Sequence, residues 1–324
     1  MNSLISIVIR TYNEERYLEE LLQAIHSQNV GDLRYEVILV DSGSTDKTLE
    51  IARNFNCRIV NIKKSEFSFG RSLNIGCAAA QGDYLVFISG HCVPTNEFWL
   101  NNLVQPLISG DIALTYGRQV GGETTKFSEH LLFEKFYPSH SQIPQKDFFC
   151  NNANSALLKN IWKLYPFNEA LTGLEDMYLG KQLVAAGMSI GYVAEAAVYH
   201  HHDEPWHVVR RRYEREAIAL QEIMPEVQIS FGDFLRYFLS GLLLDSSNAL
   251  QQRKFLHRIG EIFMFRLMQF WGSYRGNHEH RQLSNKMKEI YFYPRKIANG
   301  SISQYKTPII SSEQTSQVME NKIS

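Results

Sequence analysis

The fold of this chain is decided by two stretches, Ser6-Ile-Val-Ile-Arg-Thr-Tyr-Asn-Glu-Glu15 and Val37-Ile-Leu-Val-Asp-Ser-Gly-Ser-Thr-Asp46. Each is a short apolar run that ends abruptly in polar, turn-forming residues. This pattern is typical of a buried parallel strand that delivers a loop to one edge of a sheet. Ligands of open α/β sheets bind at the carboxyl ends of the strands. We therefore expect a crevice for a nucleotide-type ligand, with five residues on its rim: Thr11, Tyr12, Glu14, Asp41 and Ser42.

Apolar runs and helical patterns alternate along the first part of the chain. The apolar runs predict strands at residues 4–9, 35–40, 58–62, 83–88 and 112–119. Helical spacing predicts helices at residues 14–28, 45–55, 70–80 and 96–108. After a looser stretch, the pattern predicts a helix at 175–186 and short strands at 154–158, 189–194 and 197–201. This alternation predicts the α/β class, with a mostly parallel sheet flanked by helices.

The last third of the chain has a different character. The 324 residues suffice for one large domain with an appendage. Residues 1–204 carry 16 Lys and Arg against 23 Asp and Glu, a net charge of −7, whereas residues 205–324 carry 17 against 11, a net charge of +6. Such a basic region suits an anionic surface. It is predicted to be helical at about 205–224, 230–248 and 252–274.

Cysteine usage and hydropathy bear on the compartment. The four cysteines are widely spaced and form no C-x-x-C pair, so a reducing cytosol fits better than a disulfide framework. The longest apolar stretch, residues 237–244, is too short to span a bilayer. We therefore expect a cytoplasmic protein, with peripheral contact to the inner face of the cell membrane left open.

Several motifs follow one another in a recognisable order: 6–14, 41–46, 71–82, the strand running into Ser89, and Gly173-Leu-Glu-Asp176. Over about residues 1–205 they resemble an inverting family 2 glycosyltransferase with the GT-A fold. The later helices resemble, more loosely, those of bacterial rhamnosyltransferase-type enzymes that build surface polysaccharide. The resemblance implies a catalytic domain at 1–205, with a nucleotide-sugar half to about 120 and an acceptor half from 121, then a helical region at 206–300 and a polar tail at 301–324.

The nucleotide pocket is expected around the first two motifs. A uracil or thymine ring needs a stacking partner and an acceptor for its imide N–H, which Tyr12 and Asp41 could supply. The resemblance implies that Thr11 and Glu14 complete the base and ribose pocket. Arg10 stands where the family commonly has proline, and Ser42, also in this pocket, where it often has a second aspartate. The alternative for Asp41 is that it orders a turn or caps a helix.

A diphosphate site is expected on the helix that begins near residue 70. Arg71 and Asn74 share one helix face, and Gly70 and Gly76 permit close approach of the backbone. The guanidinium fork of arginine suits a diphosphate. The alternative is a surface arginine on an ordinary packed helix.

The motif Ser89-Gly90-His91 departs from the family pattern, which usually has Asp-x-Asp here to hold Mn²⁺ or Mg²⁺ against the diphosphate. The resemblance places Ser89 and Gly90 at the donor. Histidine suits Mn²⁺ better than Mg²⁺. We therefore expect His91 to bind a metal ion together with His200 and His202, which share one face of a strand. Two alternatives remain: His91 replaces part of the metal's charge as imidazolium, which makes transfer metal-independent, or it is a turn residue.

The general base is expected at Asp176. Inverting transfer is a direct displacement at the anomeric carbon and needs a base for the acceptor hydroxyl. The resemblance implies that Asp176 is this base and that Glu175 orients the acceptor or the local loop. The alternative is that both carboxylates only complement the dipole of the helix they begin.

The resemblance as a whole implies a non-processive enzyme. It would move a hexose or deoxyhexose from a UDP or dTDP sugar to a glycan or lipid-linked acceptor of bacterial lipopolysaccharide or capsule. No nucleic-acid partner is expected, and a homodimer is left open. Because Asp-x-Asp is absent, the alternative is a catalytically inactive GT-A domain that serves as a binding subunit of a polysaccharide assembly complex.

Overall fold

A computed structural model describes residues 4–110 and 112–278 of the chain. Its first part alternates strands and helices, which confirms the predicted α/β class. The elements up to the fourth strand are β1 Leu4–Thr11, α1 Leu18–His26, β2 Arg34–Asp41, α2 Thr48–Asn54, β3 Arg58–Asn61, α3 Phe69–Ala79 and β4 Tyr84–Ser89. The following elements are β5 Cys92–Pro94, α4 Trp99–Ile108, β6 Leu114–Gly121, α5 Phe127–Phe136, β7 Asn154–Leu158, α6 Lys159–Leu164, α7 Glu175–Ala185 and β8 Ile190–His200.

The strands form one sheet in the order β3-β2-β1-β4-β7-β6-β8-β5. The strands β1 to β4 pair in parallel, β7 runs antiparallel to both of its neighbours, and β5 runs antiparallel to β8. The sheet is therefore mixed, with its parallel half at the amino-terminal side. In that half Thr11 pairs with Asp41, and Arg10 with Ser89. The register brings the polar ends of three strands to one edge.

Apolar side chains cover both faces of the sheet. In β1, Ile5, Ile7 and Ile9 face the layer that holds α1 and α4, whereas Val8 faces the layer of α3 and α7. This alternation follows from the two-residue period of a strand. Each fully buried side chain of this size stabilises the fold by about 1.5–3 kcal/mol, so the strand ends are held on a rigid support.

Two features of the second part differ from the sequence prediction. The strands predicted at 189–194 and 197–201 are one strand, β8. Its register with β6 shifts between Val193 and Val198, and this irregularity is what makes the sequence pattern look interrupted. Strand β5 and helices α5 and α6 were not predicted. Strand β5 and helix α6 have only 3 and 6 residues, and the 10 residues of α5 lie in a stretch of mixed aromatic and polar residues.

Three long helices follow the sheet: α8 Trp206–Ile223, α9 Phe231–Gln251 and α10 Phe255–Asn277. Helix α10 lies directly on α8, where a Cβ added to Gly272 or Gly276 would collide with the carbonyl oxygens of Arg210 and Glu214. Among the described helices none combines the length and the apolar character that a transmembrane span requires. The predicted polar tail and the end of the predicted helical region, residues 279–324, lie outside the described residues.

Helix α9 is tied to α10 by a buried ion pair. Asp245 accepts hydrogen bonds from Nε and Nη2 of Arg266 at 2.6 and 2.7 Å. The side chains are 0% and 6% exposed. Gln269 accepts a third hydrogen bond from the same guanidinium. A buried ion pair of this kind depends on keeping both partners.

Candidate functional site

A cleft of about 380 Å³ lies where β1, β2 and β4 end. Its floor is formed by the loops that follow these strands, and its opposite wall by helix α8. Residues predicted for the nucleotide or metal site that line it are Thr11, Tyr12, Glu14, Ser42, Ser89, His91 and His202. The sheet edge therefore brings together most of the side chains that the sequence motifs single out.

Asp41 lies beside the cleft and is not among its lining residues. The side chain is buried and its two oxygens accept four hydrogen bonds: from the hydroxyls of Thr11 and Ser44 and from the backbone N–H groups of Gly43 and Ser44. These bonds use the acceptor capacity of a carboxylate. Asp41 thus orders the loop after β2, the structural role that the sequence left as an alternative.

Arg71 and Asn74 lie on α3 and also stay outside the cleft lining. Asn74 binds the backbone of Phe167 through both of its amide atoms, and its Nδ2 donates to Glu169 as well. Arg71 donates to the same Glu169 at 3.4 Å. The two side chains therefore join α3 to the segment before α7, and their contact with a diphosphate stays a prediction.

Three histidines lie close together at one end of the cleft. The potential ligand atoms of His91, His200 and His202 are within 4.8 Å of one another. The rings of His200 and His202 are 4.1 Å apart, whereas His201 stacks on Tyr17 at 4.3 Å, on the other side of the strand. The alternation predicted for this run is therefore present. Burial lowers the pKa of His200 well below its ordinary value, so this imidazole is neutral near pH 7.

Each of the three imidazoles has its Nδ1 within hydrogen-bond distance of a side-chain oxygen. The partners are Glu14 at 3.0 Å from His91, Gln119 at 2.6 Å from His200 and Glu129 at 2.7 Å from His202. They come from the loop after β1, from β6 and from α5. Gly90 lets the His91 loop pass Glu14, because a Cβ there would lie 2.8 Å from the Glu14 Cγ.

The charge of Glu129 is balanced by helix α8. Arg212 donates to the carboxylate of Glu129 at 2.5 Å and lies 3.0 Å from Glu204. Burial alone would raise the pKa of Glu129, but the charge of Arg212 and the hydrogen bonds from His202 and Arg212 outweigh it and lower that pKa well below its ordinary value. The carboxylate beside His202 is therefore ionised.

Helix α8 also supplies the cationic wall of the cleft. Arg211, Arg212 and Arg215 line the cleft. The guanidinium groups of Arg215 and Arg10 lie 4.6 and 5.0 Å from the centre of the Phe69 ring. The cluster of arginines between 210 and 215 is visible in the sequence. Arg10 was noted there only as a departure from the family's usual proline, and Phe69 carried no signal that pointed to the site.

Glu175 and Asp176 begin helix α7 after Leu174, whose φ of 55° sets the left-handed turn into the helix. Burial, and then the charge of Glu175, raise the pKa of Asp176 from its ordinary value of 3.8 to about 7. Its Oδ2 accepts the N–H of Asn152 at 2.9 Å. Neither carboxylate lines the cleft. Arg10 connects the start of α7 to the cleft, because it lines the cleft and forms an ion pair with Glu175 at 3.1 Å.

Comparison with known proteins identifies the class. Residues 6–162 match the profile of Glycosyl transferase family 2. The O-antigen chain rhamnosyltransferase RfbN of Salmonella typhimurium is 26% identical over 243 residues, which cover 70% of this chain and 76% of RfbN. The O-antigen chain rhamnosyltransferase WbaN of Salmonella anatum is 27% identical over 210 residues, which cover 61% of this chain and 66% of WbaN.

A solved structure has a similar fold. It is glucosyl-3-phosphoglycerate synthase from Mycobacterium tuberculosis, in complex with Mn²⁺, UDP-glucose and phosphoglyceric acid. It is 22% identical, with a TM-score of 0.51 over 69% of this chain and 79% of that chain. The fold is thus the GT-A fold. The domain match and the rhamnosyltransferase relatives together show that the protein is a glycosyltransferase. It carries a Glycosyl transferase family 2 domain, which confirms the family inferred from the motifs.

Proposed function

We propose that this chain is an inverting, non-processive transferase of a deoxyhexose of the rhamnose class. The donor is a sugar linked to UDP or dTDP, and the acceptor is a growing glycan of a bacterial surface polysaccharide. The observation that carries the proposal is the cleft at the strand ends, with Tyr12 on one side and the arginines of α8 on the other. The rhamnosyltransferase relatives support the sugar class.

The α8 arginines are the groups that would hold the diphosphate. The Nε of Arg215 is buried and has no hydrogen-bond partner among the described residues. A buried donor without an acceptor costs about 1–3 kcal/mol, and phosphate oxygens are acceptors that fit the guanidinium fork. The assignment favours the α8 arginines over Arg71 and Asn74 because Arg211, Arg212 and Arg215 line the cleft and those two residues do not.

In the proposed transfer the acceptor hydroxyl oxygen forms a bond to the anomeric carbon. The bond from that carbon to the diphosphate oxygen breaks, and the diphosphate keeps the electron pair. Asp176 takes the hydroxyl proton, for which a pKa of about 7 is well matched to neutral pH. The pair of Arg10 and Glu175 holds the start of α7 beside the cleft.

The family also implies a divalent ion, Mn²⁺ or Mg²⁺. Of the two, Mn²⁺ fits three nitrogen ligands in a partly open cluster, and His91, His200 and His202 would hold it. When bound, the ion would supply positive charge to the leaving diphosphate. The arginines of α8 face the same part of the cleft and contribute the fixed part of that charge.

Binding of free nucleotides tests the donor class. UDP or dTDP at a hundred times its dissociation constant should stabilise the fold by about 2.7 kcal/mol, seen as a rise in melting temperature, with smaller shifts for GDP and CMP. Tyr12→Ala should lose most of the shift. Tyr199→Ala, an exposed tyrosine outside the cleft lining, is the control. A native protein that responds to no nucleotide would favour the alternative, an inactive binding subunit.

The outer face of α9 and the start of α10 is proposed to touch an anionic lipid surface, where a lipid-linked acceptor would be presented. Large apolar side chains are exposed there: Leu239, Leu243, Leu244, Leu250 and Leu256. Exposed cations lie among them: Arg236, Arg253, Lys254 and Arg258. This composition is typical of an interfacial helix.

Sedimentation with vesicles tests this contact. The protein should pellet with vesicles that contain phosphatidylglycerol and stay in solution with phosphatidylcholine alone, and Leu243→Asp should weaken the binding. Equal recovery in both supernatants would refute the lipid contact and leave simple exposure of α9, or pairing of two copies, as the explanation of this face.

A further inference from the structure

The residue types of the histidine cluster indicate which metal ion it selects. Asp-x-Asp sites offer oxygen ligands, which suit Mg²⁺ and Mn²⁺ alike. Here Ser89 occupies the first position of that motif, and His91 the last. The cluster of His91, His200 and His202 offers imidazole nitrogens instead. Nitrogen ligands favour first-row transition metals over Mg²⁺, with affinity rising from Mn²⁺ through Co²⁺ towards Zn²⁺.

The hydrogen bonds of the cluster decide which ring nitrogen faces an ion. The Nδ1 atoms of His91 and His202 lie 3.0 and 2.7 Å from carboxylate oxygens of Glu14 and Glu129, which are acceptors, so Nδ1 is the donor in each pair. Gln119 donates through its Nε2 to Asn151, so its Oε1 is the atom that faces the Nδ1 of His200. All three rings are therefore Nδ1–H tautomers, and each would offer a metal the lone pair of Nε2.

This arrangement matches the organisation of established metal sites. A histidine that binds a metal almost always donates its other N–H to a carboxylate or carbonyl oxygen, which fixes the ring and increases its basicity. Here all three histidines have such a partner, each from a different element of the fold. Because any buried imidazole N–H needs an acceptor, the metal site is inferred from these partners together with the convergence of the three rings within 4.8 Å.

The cluster is also open on one side. His200 and His202 are 7% and 9% exposed, and His91 forms the rim with a side chain that is 31% exposed. Both His91 and His202 line the cleft. Three protein ligands with the remaining positions facing a cleft are typical of a catalytic metal site, whereas structural sites are closed.

We propose that His91, His200 and His202 form a three-imidazole site that binds a transition-metal ion through Nε2 and excludes Mg²⁺. Glu14, Gln119 and Glu129 are its positioning residues. The use of the ion in transfer rests on the proposed function, since the open positions face the proposed diphosphate site. Binding of the ion itself is measured without substrates and does not depend on the proposed function.

The test uses the full chain, stripped with a chelator and dialysed against Co²⁺, Zn²⁺, Mn²⁺ or Mg²⁺ alone. We expect one Co²⁺ per chain with visible d–d absorption bands, tighter binding of Zn²⁺ than of Mn²⁺, and no Mg²⁺ retained. His202→Ala should weaken Co²⁺ binding by at least about 100-fold, and Gln119→Met by about 10–100-fold with an altered spectrum. His201→Ala, its neighbour on the opposite side of the strand, should leave Co²⁺ affinity unchanged.

Three results would overturn the assignment: retention of Mg²⁺ as tight as that of Co²⁺, absence of any bound metal in the folded protein, or equal loss of affinity in the His201 and His202 variants. Nucleotide-induced stabilisation in the presence of a chelator distinguishes failure of the metal-site proposal from failure of the transferase proposal. If it persists while no metal binds, the transferase proposal stands and the metal site is refuted.

Discussion

Asp176→Asn should lower the rate of sugar transfer by about 10²–10⁴-fold, the usual contribution of a positioned general base. The asparagine keeps the size of the side chain and an oxygen that can accept the N–H of Asn152. The nucleotide contacts lie on other elements, so donor binding should stay within about twofold of the native value. Steady-state transfer and nucleotide-induced thermal shifts measure the two quantities separately.

The pH dependence of the native transfer rate tests the same role of Asp176. Because burial and Glu175 raise the pKa of Asp176 to about 7, the base is protonated below neutral pH. The native rate should fall about tenfold for each pH unit below 7. Stability should change in the opposite sense: the folded state holds a proton that the unfolded chain releases near pH 4, so stability from this group falls as pH rises from about 4 to 7.

The matched control is Asp83→Asn, an exposed aspartate at the opposite end of β4, which should change neither the rate nor the pH profile. Transfer by Asp176→Asn at the native rate would remove Asp176 as the base. A slow variant that keeps the native pH profile would assign the titrating group elsewhere.

The largest expected loss of stability comes from breaking the pair of Asp245 and Arg266. Asp245→Asn leaves the guanidinium of Arg266 buried between α9 and α10 without its counter-charge. Removing one partner of a buried pair costs about 3–5 kcal/mol. Urea unfolding at fixed pH measures the free energy of unfolding.

Two further variants define what the Asp245 result means. The double variant Asp245→Leu with Arg266→Met should recover most of the loss, because an apolar pair of similar volume often replaces a buried ion pair without cost. Arg258→Met removes an exposed pair with Glu261 on the same helix and should cost less than about 1 kcal/mol. If Asp245→Asn costs no more than Arg258→Met, the pair is solvated and does not hold α9.

Much of the parallel half of the sheet and its binding edge could be predicted from sequence because both depend on short-range patterns. Apolar runs that end in Thr11, Asp41 and Ser89 specify strands and the edge at which they stop. The spacing of His200 and His202 specifies that they share a face. Such signals are local, and tertiary packing does not alter them.

The hydrogen-bond partners of Asp41, Arg71 and Asn74 could not be predicted in this way. Their residue types suit ligand contacts, but the same polar atoms also satisfy neighbouring backbone and side-chain groups, and only three-dimensional partners decide between the two uses. Arg215 reaches the cleft because α8 folds back across the sheet edge, a long-range event without a local pattern. Gln119 and Glu129 likewise meet the histidines only through the pairing of β6 and the position of α5.

The glycines of α10 have a mechanical consequence. With no side chain at Gly272 or Gly276, the backbones of α10 and α8 approach closely, and any larger residue at either position would clash with a carbonyl oxygen of α8. The buried ion pair of Asp245 and Arg266 then joins α9 to the packed helices α8 and α10. The arginines of α8 that line the cleft and the exposed leucines of α9 and α10 thus lie on one packed unit of three helices. With the proposed lipid contact on the outer face of α9, the lengths of these helices would set the distance from the lipid surface to the cleft wall.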